Sequence, residues 1–263
     1  MERQRQVEKE IFIDKKEIQS ILKKWLGKTI HQLDWTGEVQ DTTRFWDFCE
    51  SCYSEDAEDT WEIVKDDLRS LNPFNYLQYG FSEDEVKIII HSVLKRTIQS
   101  PICKASGFQG RLGLIYGESL KFKSYKENDG TFHVDAVVQM WLNETDYVPL
   151  LLIEFKPTLT IQSALSKGEE EIIKYAYILT RECTLDVLYG ILVGIDSYMV
   201  YKCEKGKFYR SNIEVLDLPK NNVQDELYTR SFYDFFKLIV KLLWVSFERN
   251  LRKKQHVNIS RGT

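Results

Sequence analysis

Between Phe132 and Lys156 the chain carries two apolar runs of strand length, FHVDAVVQMWL and VPLLLIEFKP, separated by the polar Asn143-Glu-Thr-Asp146. Asn128-Asp-Gly130 ahead of them is a hairpin-turn signal. LGLIYGESLKFKSY, residues 112–125, is therefore read as a strand that turns back into the first run, with a bend expected at Gly117. Upstream, Ser82-Glu-Asp-Glu85 is a capping box, and Val86, Ile89, Ile90, Val93 and Ile98 follow at helical spacing until Ser100-Pro101. Downstream, Pro157 ends the second run and Thr160 stands where it can cap a helix reaching about residue 182. The predicted buried stripe of that helix is Ile161, Leu165, Gly168, Ile172, Ala176 and Leu179. Val187 to Ile195 is apolar throughout, as a strand covered on both faces would be. Residues 198–203 and 207–216 read as two more strands, joined near Glu204-Lys-Gly206.

The flanks are helical in pattern. Val7, Ile11, Ile18, Ile21, Leu22 and Trp25 recur at helical spacing among charges, with Gly27 as a stop. Two short aromatic-rich helices are expected around Phe45-Trp46 and Trp61 to Val64, and Asn72-Pro73 breaks the pattern. This gives an N-terminal helical segment, 1–75, and a main domain, 76–263, closed by an aromatic helix over 225–252 and the basic tail Arg252, Lys253 and Lys254.

Three residues in the central runs do not serve a strand for its own sake: Asp135, Glu154 and Lys156. Side chains alternate along a strand, so Glu154 and Lys156 share a face, opposite Ile153 and Phe155. If the two runs pair, Asp135 comes to lie beside Glu154. Two ionised carboxylates at that distance repel, and a hard divalent cation such as Mg2+ resolves the conflict because oxygen ligands suit it. A cross-strand ion pair is the plainer use of Glu-x-Lys, but a buried carboxylate without partners is costly.

Composition narrows the class. Of 263 residues, 43% are hydrophobic and 29% charged, which supports a sizeable core and not a disordered chain. The net charge of -4 argues against indiscriminate nucleic-acid binding, though a local basic groove is compatible with it. Five scattered cysteines imply reduced thiols, and MERQRQVEKE lacks the apolar core of a secretory signal, so an intracellular protein (cytoplasm or nucleus) is expected. The sequons at Asn143 and Asn258 are then expected to go unused. The apolar run 232–247 contains Asp234, Lys237 and Lys241, each unfavourable by roughly 3 kcal/mol at a bilayer centre, so it is read as a packing helix and no membrane association is expected. Cys49-Glu-Ser-Cys52 has no second ligand pair for zinc, and Gly27-Lys28-Thr29 lacks the glycine a phosphate loop needs at position 22, which is Leu22.

The order helix, strand, strand, strand, helix, strand, with Asp135 in His-Val-Asp-Ala-Val-Val and Glu154 and Lys156 in Leu-Leu-Ile-Glu-Phe-Lys, resembles the PD-(D/E)xK nuclease superfamily. The resemblance covers residues 82 to about 200. It implies an α/β, restriction-endonuclease-like αβββαβ core with a central mixed sheet flanked by helices, to which the N-terminal segment and the long C-terminal helix are added. Two points depart from the family pattern. Val134 stands where a proline often precedes the aspartate, and Glu171 stands where a glutamine often precedes the tyrosine of a Gln-x-x-x-Tyr motif, here Tyr175.

What the resemblance implies is phosphodiester hydrolysis with Mg2+ or Mn2+. Asp135 and Glu154 would hold the cation, Lys156 would orient the attacking water or offset charge on the phosphate, and Glu118 would be an additional metal ligand, preferred over Glu85. His91 and His133 are weaker ligand candidates. Lys121, Lys123, Lys174 and Tyr175 are the expected nucleic-acid contacts, with Lys167 and the segment Tyr201 to Arg210 as secondary ones. DNA is favoured over RNA by analogy with the fold, and a homodimer is one expected assembly. The rival expectation is an inactive protein of the same fold that binds nucleic acid or another protein.

Overall fold

The computed structural model describes residues 15–26, 31–33, 82–99, 112–122, 130–142, 147–216 and 226–252. In chain order its elements are α1 (Lys15–Leu26), β1 (His31–Gln32), α2 (Glu83–Gln99), β2 (Leu112–Phe122), β3 (Gly130–Trp141) and β4 (Tyr147–Phe155). They continue with α3 (Gln162–Glu182), β5 (Val187–Val193), β6 (Ser197–Glu204), β7 (Lys207–Arg210), β8 (Glu214–Val215) and α4 (Glu226–Phe247), which runs into a π-helical turn, Glu248–Arg252. The strands form one open mixed sheet in the order β1-β7-β6-β5-β4-β3-β2, with β8 paired to β6 off that path. β4 pairs with β5 and β1 with β7 in parallel, and the remaining pairs are antiparallel.

The continuous apolar runs become the centre. Val148 to Phe155 and all of β5 are buried, which requires cover on both faces. Both α3 and α4 pack on β4 and β5, so they lie on opposite faces. α3 comes close because glycines meet large side chains across the contact. A Cβ on Gly168 would run into the Leu192 side chain, and Gly190 faces Ile172. On the other face Tyr198 of β6 packs on Phe235 of α4, ring centroids 4.9 Å apart. The π-helical turn is fastened to the start of β5 by Asn250, whose Oδ1 accepts from the amides of Asp186 and Val187 while its Nδ2 donates to Val187 O.

Several expectations from the pattern need adjustment. Thr160 does not cap α3. Ile161 occupies the cap position in extended conformation without a side-chain bond, and the Thr160 hydroxyl meets Thr158 Oγ1 instead, 2.8 Å away. Ile161 is consequently exposed, whereas Gly168, Ile172, Ala176 and Leu179 are buried as the stripe predicts. The expected strand 207–216 is split into β7 and β8. Ser211 ends β7 by pairing with Val200 through both its amide and its hydroxyl (2.8 and 3.0 Å) and then donating to Asn212 O. The β2–β3 register continues unshifted across Gly117.

β1 was not anticipated; a two-residue strand carries no readable period. α1 and Leu33, just after β1, share the main core. Ile18, Trp25 and Leu33 are buried in it, Trp25 meets Phe208 edge-on at 5.5 Å, and Glu17 accepts from Tyr177 and pairs with Arg181 of α3. The boundary near residue 75, the helices expected within 40–71, Cys49 and Cys52, and the Asn143 to Asp146 turn lie outside the described residues. Among the described residues no helix is long and apolar enough to cross a membrane.

Candidate functional site

The β3–β4 ladder runs up to Ala136↔Ile153 and opens there. One step further the backbone amides turn to side chains. Phe155 N donates to Asp135 Oδ2 at 2.9 Å, and Asp135 N points at Glu154 Oε1 at 3.4 Å. Each strand thus holds the other's carboxyl group, and both project to the face covered by α3. Beyond β4, Lys156 N still pairs with Val193 O at 3.0 Å. That bond keeps Lys156 in phase with Glu154, as strand alternation requires.

Charges from α2 and α3 converge on this point. Lys156 Nζ donates to Phe155 O at 2.8 Å and lies 2.8 Å from Glu171 Oε2 on α3. Glu83, in the first turn of α2, straddles two lysines, with Oε1 3.0 Å from Lys87 Nζ and Oε2 3.8 Å from Lys156 Nζ. Lys87 Nζ in turn sits 3.0 Å from Asp135 Oδ1. Four carboxyl groups (Asp135, Glu154, Glu171 and Glu83) therefore surround two ammonium groups. Lys174 stands further off, its ammonium 4.6 Å from the centre of the Tyr175 ring.

The imbalance shows in proton affinities. Burial and the Asp135 carboxylate beside it push Glu154 up to about 9, against the opposing pull of Lys156. Burial works against the charge of Lys156, but Glu171, Glu83 and Glu154 outweigh it and its pKa ends above the usual lysine range. Lys87 is likewise raised, because Asp135 and Glu83 outweigh desolvation. Lys174 is lowered, chiefly by desolvation. The Tyr175 phenol is raised by burial and by Glu154, Glu171 and Asp135, which places it in the same electrostatic field.

The donor set fits a hard divalent cation. Burial, reinforced by repulsion between the oxygen donors on the facing strands, favours a proton on Glu154. Exchanging that proton for a divalent ion would relieve the repulsion and add one net positive charge, which matches the single charge of a phosphodiester. Among the described residues no group of three or more His, Cys, Asp and Glu is arranged around one ion position. Two carboxylates are nonetheless an ordinary protein contribution for Mg2+, whose other ligands are water and substrate oxygens.

The remaining sequence candidates separate. Glu118 pairs with Val134 in the β2–β3 register. Facing residues of an antiparallel pair share a face, so its register position is one residue out of phase with Asp135. Lys121 pairs with Thr131 and so takes a position on the Asp135 face; Lys123 lies outside the described residues. His133 is exposed on β3, and His91 sits one turn beyond Lys87 with its pKa lowered by burial and by Lys95. Lys167 is exposed on the first half of α3. Lys202 is not available to a phosphate. It is buried, 2.9 Å from Oε2 of Glu204, which lies two residues further along β6 and so on the same face. Arg210 is paired with Glu169.

Sequence reasoning missed Glu83 and Lys87. In the sequence Glu83 stands only as part of a capping box, and Lys87 carries no functional signal of its own. Their i, i+4 spacing was visible, but their approach to Asp135 and Lys156 was not. Glu171 was noted as a departure from a motif, without its role as the partner of Lys156.

No family model matches the chain. Among curated proteins, an isoleucine–tRNA ligase from Wigglesworthia glossinidia brevipalpis is 31% identical over 169 residues, covering 62% of this chain. The chain spans 16% of the length of that enzyme.

Proposed function

We propose that this protein is a divalent-metal-dependent nuclease of PD-(D/E)xK type, with a restriction-endonuclease-like core, hydrolysing phosphodiester bonds in nucleic acid and preferring DNA. The observation that carries the reading is the mutual capture of Asp135 and Glu154 at the opened end of the β3–β4 ladder, with Lys156 in phase beside them. Bound there, Mg2+ or Mn2+ would polarise the phosphate and acidify a water.

The chain's own residues do the rest. Asp135 and Glu154 hold the ligand oxygens on two strands whose backbones lock them, and Glu154 releases its proton on loading. Lys156, kept charged by Glu171 and Glu83, orients water or offsets charge on the phosphate oxygens and is unsuited to accept a proton. Tyr175 stays a neutral phenol and can donate to a phosphate oxygen. Lys121, Lys123 and Lys174 are the proposed backbone contacts.

One observation favours the rival reading of a non-cutting nuclease-fold module: both oxygens of Asp135 are already engaged, by Phe155 N and by Lys87. Purified wild type and Glu154→Ala, each shown to be folded by circular dichroism, are incubated with plasmid, linear and single-stranded DNA and with RNA, in Mg2+, Mn2+ or EDTA. Transfer RNA is included because the matching ligase is named for it. We expect wild type alone to cut, and only with metal. Equal cutting by both proteins would sink the assignment, and no cutting with no metal binding would leave the inactive module.

A further inference from the structure

Lys87 is held where the metal ion itself would sit. Asp135 Oδ2 is committed to Phe155 N, so Oδ1 is the oxygen left to coordinate, and Lys87 Nζ occupies it at 3.0 Å. A lysine and a divalent cation cannot both sit there, since like charges that close repel strongly. Lys87 has a second anchor in Glu83 Oε1, also 3.0 Å away, and its side chain is 31% exposed, whereas Lys156 is sealed. Val86 and Ile90 on either side of it are buried in the core. The backbone of α2 is therefore fixed here, and only the flexible four-carbon stem can move.

We propose that Lys87 is an internal competitor for the cation position on Asp135: it neutralises that carboxylate until metal arrives, then pivots about Glu83 and contacts the substrate phosphate beside the site. This rests on the metal-dependent reading above and adds a residue that couples metal loading to substrate binding. It also resolves the saturation of Asp135, because the second partner is one that can leave.

The test uses the full chain and the variants Lys87→Met, which keeps the stem without the charge, and Lys87→Arg, with thermal melting to show that each is folded. Mn2+ binding is measured by calorimetry without nucleic acid, and binding of a labelled DNA duplex is measured in Ca2+ at two salt concentrations. Lys87→Met is expected to bind Mn2+ roughly tenfold more tightly than wild type, a typical size for coupled sites. The same variant is expected to bind DNA more weakly with a shallower salt dependence. Lys87→Arg should return both properties toward wild type. A folded Lys87→Met that binds Mn2+ no better than wild type overturns the competition and leaves Lys87 a structural ion pair. Tighter Mn2+ binding with unchanged DNA affinity overturns the transfer to phosphate. If neither wild type nor Lys87→Met binds Mn2+, the nuclease reading itself fails, a result distinct from the other two.

Discussion

The two ends of β5 each carry a glutamate from a neighbouring strand, and the two are treated in opposite ways. Glu154 lies beside Leu192 near the end of β5, and Glu204 beside Val187 at its start. Burial opposes the charge on both. At Glu204, Lys202 (2.9 Å) and Arg249 (3.0 Å) outweigh it, and the carboxyl pKa falls below its usual value. At Glu154 burial is reinforced by Asp135, and the pKa climbs to about 9. Residue type and strand pairing are alike, but Glu154 is buried while the Glu204 side chain is about one-third exposed, so depth of burial and the cations supplied together make the difference. An acid matched by the fold is finished as a structural element. One that the fold leaves short of cations keeps its proton, and the proposed metal ion would take that proton's place.

The contrast can be broken most severely at Glu154. Glu154→Ala should reduce metal-dependent cleavage by on the order of 10³-fold, the scale seen when a preorganised electrostatic group is lost, while Lys202→Met leaves cleavage unchanged in the same assay.

The next effect is on stability as a function of pH, measured by urea unfolding in EDTA. Glu154 holds its proton in the native state over a range where the unfolded chain has released it. Its contribution is therefore full below about pH 4.5 and is lost as pH rises to about 9. Over that window the loss should be a few kcal/mol at most, given roughly 1.4 kcal/mol per pKa unit and incomplete burial. Glu154→Gln should flatten the decline. An unchanged decline in the variant would show that other groups cause it.

At the matched end the effects are smaller. Lys202→Met should cost about 2 kcal/mol at neutral pH, the scale of a buried hydrogen bond to a charged group. Arg249→Ala, at a pair that is about one-third exposed on both sides, should cost under about 1 kcal/mol. Comparable losses from both would mean that burial does not grade the two partners of Glu204.

Much of the fold could be read before any coordinates. The runs ending at Trp141 and Phe155 and the seven apolar residues of β5 are strands, and the stripe Gly168, Ile172, Ala176 and Leu179 faces the core. These depend on local periodicity, which is written along the chain. The cap of α3 and the break after Arg210 could not be read that way. Both involve side-chain hydrogen bonds of Thr158 and Ser211 that no local period announces.

Of the candidate site, the sequence by itself determined the alternation that puts Glu154 and Lys156 on one face and the hairpin order that brings Asp135 alongside. It also determined that an apolar strand ends in charges. Only the tertiary structure decided the register that pairs Glu118 with Val134, the opening of the ladder at Asp135, and the convergence of Glu83, Lys87 and Glu171 from two helices. The reason is one of range. Backbone sterics and side-chain period act between near neighbours, whereas the charge around Glu154 is summed over groups that only packing brings within a few ångströms of one another.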